Sequence, residues 1–331
     1  MKILVTGSEG SLMQAVIPLL LEQGHEVRGI DNFARYGDIE RNRDYEFIRG
    51  DLTDAAFAAE ITAGVDSVIQ AAALIYGVGG FHRFPADILS KDIVLHQNVL
   101  WGMLKNKVEK IVYVSSSMVY ERCQTHPSKE EDIADSLVPS TDYGLSKLVG
   151  ERLVEAFALQ YGLKYLVWRP FNIITPHEKG ESELGTSHVF ADFIKNIVIE
   201  KKTVLPIIGD GEQIRCFTWI GDVARGIAEH SFSDGVLNTA FNLGNPEPIT
   251  MKHLANIIYD GAVERGLIER SESGLQFESK MSFSDDVLVR IPDVSKAKEI
   301  LGWESTLNAA QSVGRCLDLM VTGEHESAAG R

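Results

Sequence analysis

Short apolar runs alternate with segments of helical periodicity through the first half of this chain, and this alternation most constrains its fold. Parallel strands need a long crossover between them, so alternating strands and helices predict a doubly wound parallel sheet of the α/β class. The predicted strands span residues 3–6, 26–31, 45–50, 67–72, 111–115 and 165–169. The predicted helices between them span residues 15–23, 86–106 and 145–161.

A glycine turn, Thr6-Gly7-Ser8-Glu9-Gly10, directly follows the first predicted strand. Glycines let the backbone approach a pyrophosphate, and the N-terminus of the next helix favours a bound anion. Asp31 ends the second strand, where a carboxylate binds a ribose 2′-hydroxyl and repels a 2′-phosphate. The pattern predicts a Rossmann-type domain that prefers NAD to NADP, a preference that Arg28 or Arg35 could soften.

Further cofactor contacts are expected after the other strands of this sheet. Asp51 follows the third strand, where it would either meet the adenine or cap a turn. The expected cofactor-binding residues are Thr6, Gly7, Gly10, Asp31, Asn32, Asp51, Leu52, Ala71, Ala72, Tyr143 and Lys147.

Tyr143 and Lys147 are four residues apart, which places them on one face of a helix. A tyrosine with its usual pKa near ~10 is a poor base at neutral pH, but a neighbouring ammonium stabilises the phenolate. A hydroxyl from the run Ser115-Ser116-Ser117, at the end of the preceding strand, would complete a relay to a substrate alcohol. Beside a nicotinamide, such a set removes a proton while the ring accepts a hydride.

The regular alternation of predicted strands and helices ends after Asn172. A polar segment over residues 175–185 precedes a predicted helix over 189–201, a turn at Gly209-Asp210-Gly211 and one more strand and helix from Phe217. The expected division is a Rossmann domain over 1–172 and about 217–240, interleaved with a smaller α/β domain over 173–216 and 241–331.

Composition excludes several classes of partner. The net charge of −15 argues against nucleic acid or an anionic membrane, and no apolar run approaches the ~20 residues that span a bilayer. Three cysteines without paired spacing, Cys123, Cys216 and Cys316, predict neither disulfides nor a metal site. They fit a reducing, cytoplasmic location.

The chain resembles the extended short-chain dehydrogenase/reductase family, in the branch that acts on nucleotide sugars. The resemblance rests on the glycine turn, the Ser/Tyr/Lys set and four later segments, Arg169-Pro170-Phe171-Asn172, Gly209-Asp-Gly-Glu-Gln-Ile-Arg215, Phe241-Asn-Leu-Gly244 and Arg290-Ile-Pro-Asp293. It implies that Ser116, four residues before Tyr120, is the catalytic serine. It also implies that Asn172, Arg215 and Arg290 bind the diphosphate of a nucleoside-diphosphate sugar.

Departures from the family's patterns narrow the reaction. Dehydratases and decarboxylases of this branch carry a carboxylate beside the catalytic hydroxyl, whereas this chain has Ser117-Met118. The segments at 78–80, 85–87 and 187–189 resemble GDP-fucose synthase, an epimerase-reductase, and in that resemblance His177 is a catalytic acid/base. Met118 stands at the position of its partner cysteine and cannot transfer protons, so Cys123 or His82 would have to substitute, or serve only as loop residues.

Two further departures lie near the predicted site. Met13 replaces the third glycine of the turn, which would press the helix away from the strand unless the packing adjusts. Asp92 stands where the family usually has asparagine, and its charge would either perturb Lys147 and Tyr143 or face solvent.

The leading expectation is an NAD-dependent sugar-nucleotide epimerase working through a transient 4-keto sugar. Tyr143 would deprotonate the C4 hydroxyl, Ser116 would bridge to it, and Lys147 would lower the pKa of Tyr143 and hold the nicotinamide ribose. The alternative is a reductase or epimerase-reductase of a 4-keto-6-deoxy sugar nucleotide using NAD(P)H, and a minor one is a non-catalytic nucleotide-sugar binder. The resemblance also implies a homodimer formed through the two long helices at 86–106 and 145–161.

Overall fold

A computed structural model describes residues 1–35, 37, 42–233, 235–283 and 286–322 of the chain. The strands are β1 (Lys2–Thr6), β2 (Glu26–Asp31), β3 (Glu46–Arg49), β4 (Ser67–Gln70), β5 (Lys110–Val114), β6 (Lys164–Pro170), β7 (Ile173–Ile174), β8 (Val204–Ile207), β9 (Ile214–Cys216), β10 (Thr218–Trp219), β11 (Thr239–Leu243), β12 (Pro248–Thr250), β13 (Gln276–Ser279) and β14 (Val289–Arg290). The α-helices are α1 (Ser11–Glu22), α2 (Ala55–Ile61), α3 (Val78–Arg83), α4 (Pro85–Asn106), α5 (Asp142–Tyr161), α6 (Val189–Phe193), α7 (Ile220–His230), α8 (Met251–Glu264), α9 (Ser295–Leu301) and α10 (Ala309–Thr322). Short 3₁₀ turns span Ser117–Tyr120 and Glu130–Ala134, and a π-helical stretch, Ile194–Ile199, continues α6.

Seven parallel strands form the central sheet in the order β3-β2-β1-β4-β5-β6-β11. The residues of β1 and β4 are almost all buried because helices cover both faces of the sheet. The predicted doubly wound parallel sheet is therefore confirmed. The strand order reverses between β1 and β4, and the crevice beyond the carboxyl ends of these strands is where such sheets bind ligands.

The predicted helices are present, with differences at their starts. Helix α1 begins at Ser11, four residues before the predicted start, and Gly10 is its N-cap. Helix α5 is capped by the Thr141 hydroxyl, which accepts a hydrogen bond from the Gly144 N–H. Both α2 and α3 were missed, although the Asp54 side chain caps α2 by accepting from two backbone N–H groups.

Smaller sheets built from the second half of the chain bring distant residues together. Strand β9 lies between β12 and β14, and the parallel register of β9 with β14 sets Arg215 opposite Arg290. Strands β8 and β13 pair in the same way, as do β7 and β10.

Strand β11 returns the chain to the large sheet beside β6. It crosses the boundary predicted between residues 240 and 241, with three of its residues beyond that point. The two-domain division itself stays a prediction.

Met13, which stands in place of the third glycine of the turn, lies in the first turn of α1. Its side chain is buried in the main hydrophobic core with Val16 and Leu20 of the same helix, so the larger residue is accommodated there. No helix in the described ranges is both long and apolar enough to cross a membrane.

Candidate active site

A continuous cavity of about 550 Å³ lies at the carboxyl ends of β1, β4 and β5. The glycine turn, the loop after β2 and the loop 71–77 form one side of it, and the segments 170–193, 206–217 and 286–290 form the other. Ser116, Tyr143 and Lys147 lie among its lining residues. Sequence segments that are far apart therefore meet at one crevice.

The Tyr143 phenol is buried and stacks on the Phe81 ring, with the ring centroids 4.6 Å apart and the planes 6° from parallel. The Ser116 hydroxyl lies near enough to act on the pKa of the Tyr143 phenol, and it accepts from the Met118 N–H at 3.2 Å. This proximity joins the end of β5 to the first turn of α5. Both hydroxyls of the predicted relay line the same cavity, and the relay itself stays a prediction.

Lys147 is almost fully buried, and its Nζ donates to the Val114 carbonyl at 3.0 Å. The ammonium lies 5.9 Å from the centroid of the Tyr143 ring. Burial lowers the pKa of Lys147 to about 8, although the negative charges of Asp92 and Glu151 act to raise it. At neutral pH the group is a cation held in an apolar setting.

Burial raises the pKa of Tyr143 well above its usual value, and the charge of Asp92 raises it further. The Ser116 hydrogen bond and the charge of Arg290 act in the opposite direction. The predicted lowering of this pKa by Lys147 stays a prediction. Asp92 itself is fully buried, so the alternative in which it faces solvent is wrong.

The glycine turn fits a dinucleotide. Gly7 has φ +67°, and a Cβ there would lie 3.0 Å from the Ala72 backbone, so the close approach of these segments requires glycine. Asp31 accepts hydrogen bonds from the N–H groups of Phe33 (2.8 Å) and Glu9 (3.1 Å), which aim its carboxylate along the cavity. Each carboxylate oxygen keeps a lone pair for a ribose hydroxyl.

Ten of the predicted cofactor residues line this cavity, namely Gly7, Gly10, Asp31, Asn32, Asp51, Leu52, Ala71, Ala72, Tyr143 and Lys147. Thr6 is different, because it is fully buried beneath the turn and is not a lining residue. Its hydroxyl accepts from the Ala71 and Ala72 N–H groups, both at 3.0 Å, so it positions that loop.

Neither arginine near the second strand is placed to favour a 2′-phosphate. Arg28 pairs with Glu46 at 3.0 Å and donates to the Ile61 and Ala63 carbonyls, away from the cavity lining. Arg35 lines the cavity but pairs with Glu181 and lies over the Tyr76 ring. The acidic end of β2 therefore keeps its preference for NAD.

Asn172, Arg215 and Arg290 meet at the opposite end of the cavity. Arg290 Nη2 donates to Asn172 Oδ1 at 3.0 Å, and Arg215 Nη2 lies 3.5 Å from Asp286 Oδ1. Burial, together with the like charge of Arg290, lowers the pKa of Arg215 to about 9. Two buried guanidinium groups that repel each other would be stabilised by an anion, and their role in binding a diphosphate stays a prediction.

The chain matches, over residues 3–244, the sequence profile of the NAD dependent epimerase/dehydratase family. This protein belongs to that family. NAD is accordingly its cofactor, in agreement with the shape of the glycine turn and the position of Asp31.

Individual members of the family are similar over almost the whole chain. A UDP-glucose 4-epimerase of Halalkalibacterium halodurans is 28% identical, covering 92% of this chain and 90% of its own. A UDP-glucuronic acid decarboxylase of Danio rerio is 26% identical, covering 96% of this chain and 72% of its own. The crystal structure of a UDP-glucose 4-epimerase with UDP-glucose from Thermotoga maritima superposes with a TM-score of 0.82 at 26% identity, covering 98% and 99% of the two chains.

Of the four predicted catalytic residues, His177 is the one that is not among the residues lining this cavity. Its N–H donates to the Thr175 hydroxyl at 3.1 Å in a tight turn. Its catalytic role and the likeness to GDP-fucose synthase stay predictions. Cys123 is buried and donates to the Thr125 carbonyl, while His82 lines the cavity and stacks on Phe283.

His188 lines the cavity and was missed from the sequence. Its Nδ1 lies 2.9 Å from both carboxylate oxygens of the buried Glu178. Burial opposes the charged form of both groups, but their mutual attraction prevails, so the pKa of His188 is raised and that of Glu178 lowered. The pairing of a polar residue with one ten positions later in an irregular loop carries no sequence signal.

The His188 segment is held against α3 by backbone contacts. The Gly77 N–H donates to the Thr186 carbonyl at 2.8 Å, and the Gly79 N–H donates to the Gly185 carbonyl at 2.9 Å. A Cβ on Gly77 would lie only 2.1 Å from the Ser187 carbonyl oxygen. The glycines at the start of α3 thus permit this close wall of the cavity.

Met118 and Glu121 occupy the space beside Ser116. The Met118 thioether contacts Arg290 Nη1. A thioether cannot transfer protons, so Met118 provides neither an acid nor a base there. Glu121 is a lining carboxylate that was also missed, and it accepts from the Thr141 N–H (2.9 Å) and hydroxyl (3.1 Å) at the start of α5.

Proposed function

We propose that this protein is an NAD-dependent epimerase that inverts C4 of a nucleoside-diphosphate sugar through a transient 4-keto intermediate. One observation carries the proposal: the half-buried Ser116, the buried Tyr143 and a buried arginine pair share one cavity. Arg290 Nη1 contacts the thioether of Met118, two residues after Ser116. A diphosphate bound at the arginine pair would therefore place its sugar beside the catalytic hydroxyls.

The arginine pair selects the diphosphate. Burial lowers the pKa of Arg290 as well as that of Arg215. The nearby carboxylates therefore do not fully offset the cost of burying these two cations. Among the described residues, Nε of Arg290 is a buried polar atom with no hydrogen-bond partner. A diphosphate would supply two negative charges and several acceptors to these donors.

Tyr143 is the group that removes the proton from the C4 hydroxyl. Its phenolate accepts the proton, Ser116 donates a hydrogen bond that stabilises the developing charge, and the Lys147 ammonium stabilises the phenolate electrostatically. Bound NAD supplies the acceptor for the C4 hydride and the source from which it returns to the other face. Lys147, on the same side, would also hold the nicotinamide ribose.

The lining favours an epimerase over a dehydratase or decarboxylase. Those reactions need a further acid or base beside the catalytic hydroxyl. Met118 fills that place against Arg290, and Glu121 Oε2 accepts hydrogen bonds from the backbone and hydroxyl of Thr141. A C4 inversion needs no such group, because Tyr143 serves in both directions.

The alternative, a 4-keto-6-deoxy sugar reductase or epimerase-reductase, is not favoured. The two similar proteins cited above as epimerases are named for UDP-glucose, and Arg28 and Arg35 are each paired with a glutamate. A non-catalytic binder is opposed by the complete Ser116, Tyr143 and Lys147 set.

UDP-glucose carrying deuterium at C4 tests the function. Purified protein should convert it to UDP-galactose with the deuterium retained at C4 and no net change in nicotinamide absorbance. Tyr143→Phe should lower turnover by about 10²- to 10⁴-fold while the sugar nucleotide still binds. Tyr76→Phe, another tyrosine of the cavity lining, is the control and should stay active.

Loss of the deuterium to solvent, or turnover only with added reduced cofactor, would contradict this proposal. A screen that finds no UDP-sugar substrate but finds C4 inversion of a GDP- or dTDP-sugar would keep the reaction and change the base.

We also propose a homodimer through α4 and α5. These helices pack together and expose apolar side chains, including Trp101 (53% exposed), Tyr161 (44%) and Leu159 (90%). Trp101 makes edge contacts with Phe157 and Tyr161, which joins the two helices into one aromatic surface. Light scattering that finds only monomer at micromolar concentration would contradict the dimer.

The division of the chain into a cofactor part (1–172 and about 217–240) and a sugar-nucleotide part (173–216 and 241–331) remains a proposal. Its support is that the two walls of the cavity come from these parts. The cytoplasmic location likewise remains a proposal, supported by three buried free cysteines.

A further inference from the structure

Asp92 is a buried carboxylate that bridges three parts of the active site. Its Oδ1 accepts from the Leu74 N–H at 2.9 Å, in the loop that lines the cofactor side of the cavity. Its Oδ2 lies 3.1 Å from the Ser146 hydroxyl, in the helical turn between Tyr143 and Lys147. The side chain has no exposed surface, which makes an unbalanced charge there costly.

These hydrogen bonds alone do not require a carboxylate. An asparagine Oδ1 would accept equally from the Leu74 N–H. Its amide would donate to the Ser146 oxygen, and that hydroxyl could still donate to the Tyr143 carbonyl, which lies 2.9 Å away. A neutral isostere thus satisfies every partner, so what aspartate adds is its charge.

Lys147 directly follows Ser146, whose hydroxyl binds Asp92, and the lysine is as deeply buried as the carboxylate. Its positive charge favours the ionised form of Asp92. The other carboxylate that acts on Lys147 is Glu151, but Arg169 binds Glu151 through two hydrogen bonds of 3.0 and 2.7 Å. The Lys147 ammonium donates to a neutral carbonyl, that of Val114. Asp92 is therefore the carboxylate left to balance the lysine.

We propose that Asp92 is a positioning residue for the reaction, the buried counter-charge that keeps Lys147 cationic beside Tyr143. The proposal rests on the proposed function only for the use made of that cation. Removing the negative charge leaves the ammonium buried without compensation, so the lysine would release its proton at a lower pH. The phenolate of Tyr143 would then lose its neighbouring cation in the working range of pH.

Other titratable groups face Asp92 and bear on the pH range. Its charge raises the pKa of Tyr143 and that of Tyr113, both of which burial already raises. His96 of the same helix is fully buried, which holds its pKa well below the usual value and keeps it neutral. Burial raises the pKa of Asp92 to about 6, so the carboxylate is ionised at neutral pH and protonated in mild acid.

The test is an NMR titration of the NAD-bound protein labelled with ¹³C at lysine Cε, with the Lys147 signal assigned by Lys147→Met. In Asp92→Asn the midpoint of the Lys147 titration should fall by about one to three pH units. Ser146→Ala removes a hydrogen bond of Asp92 but no charge, and should leave the midpoint in place. An unchanged midpoint in Asp92→Asn, or an equal shift in Ser146→Ala, would overturn the proposal.

The wild-type protein gives a second readout that does not depend on the folding of an Asp92 variant. Its Lys147 signal should show a further inflection in mild acid as Asp92 takes up a proton, and a single inflection would refute the coupling. No substrate enters this titration, so its outcome is independent of the epimerase assay. If C4 inversion is observed, the alkaline limb of its pH–rate profile should move down in Asp92→Asn by the same interval.

Discussion

The two ends of the cavity recognise their ligands by different means. At the cofactor end the contacts are set by backbone, through the turn at Gly7, the start of α1 and a carboxylate oriented by two N–H groups. At the sugar-nucleotide end they are side chains, Arg290, Arg215 and Asn172, brought together by pairing of short strands. Backbone recognition needs contiguous sequence, whereas the arginine site joins residues more than a hundred positions apart.

The largest expected effect that separates the two ends is at the arginine pair. Arg290→Met removes a charge-assisted contact worth about 1.5–3 kcal/mol and should weaken UDP-sugar binding by about 10- to 100-fold. NAD binding should be unchanged, since Arg290 lies at the far end of the cavity. Calorimetric titration with each ligand measures both values.

Arg270→Met is the control, because Arg270 is an exposed arginine that pairs with Asp260 at the surface. A loss of NAD affinity in Arg290→Met equal to the loss for the sugar nucleotide would mean that the two ends are not separate.

A smaller effect is expected at the backbone end. Gly7→Ala places a methyl group 3.0 Å from the Ala72 backbone in a left-handed conformation, so the turn must shift. NAD binding should weaken by at least about tenfold, equivalent to ~1.4 kcal/mol, while the intrinsic affinity for UDP-sugar is retained.

Gly24→Ala is a matched control for backbone strain. Gly24 also has a positive φ, +78°, but no atom lies within 4 Å of the position its Cβ would take. It should lose about 1–2 kcal/mol of stability and no NAD affinity. Equal losses of NAD affinity in the two variants would show that strain, rather than close approach, governs the turn.

The smallest effect concerns the wall between the two ends, where His188 pairs with Glu178. A histidine whose pKa is raised in the folded state adds stability below its unfolded pKa, ~6.5, and loses it as pH rises through the raised value. Glu178, whose pKa is lowered, adds stability above ~4.3 and loses it as pH falls. His188→Gln should therefore destabilise the protein most between about pH 4.5 and 6.5.

The His188 side chain is 43% exposed, so the loss should not exceed about 1 kcal/mol. Urea unfolding at pH 5.5 and at pH 9 measures it, with the exposed His253→Gln as control. A loss of equal size at both pH values would show that the pair is not held by charge.

The sheet and the cofactor end were predictable because their signals are local. Alternation of strands and helices, the glycine turn and the spacing of Tyr143 from Lys147 each lie within a short stretch. Helix α3 was not predicted, since two of its six residues are glycines that favour a loop. Their reason is tertiary, because a Cβ would meet the Leu184–Gly185 backbone at Gly79 and the Tyr76 side chain at Gly80.

The rest of the site depends on contacts that sequence patterns do not record. Resemblance supplied Asn172, Arg215 and Arg290, but not that Arg290 would touch Met118. It pointed to His177, whereas the irregular loop presents His188 to the cavity. In such a loop no periodicity tells which side chain turns inward, and the pairing of His188 with Glu178 decides it.

The return of β11 to the central sheet limits how the specificity of this protein can be exchanged. The strand follows the segments that carry Arg215, and it precedes the one that carries Arg290. In a chimera whose single crossover point lies between Arg215 and β11, each parent would supply one of the two arginines. The strands of the central sheet would then also come from both parents. New substrate preferences should therefore arise by replacing loops within the scaffold, rather than by recombining whole blocks with a relative.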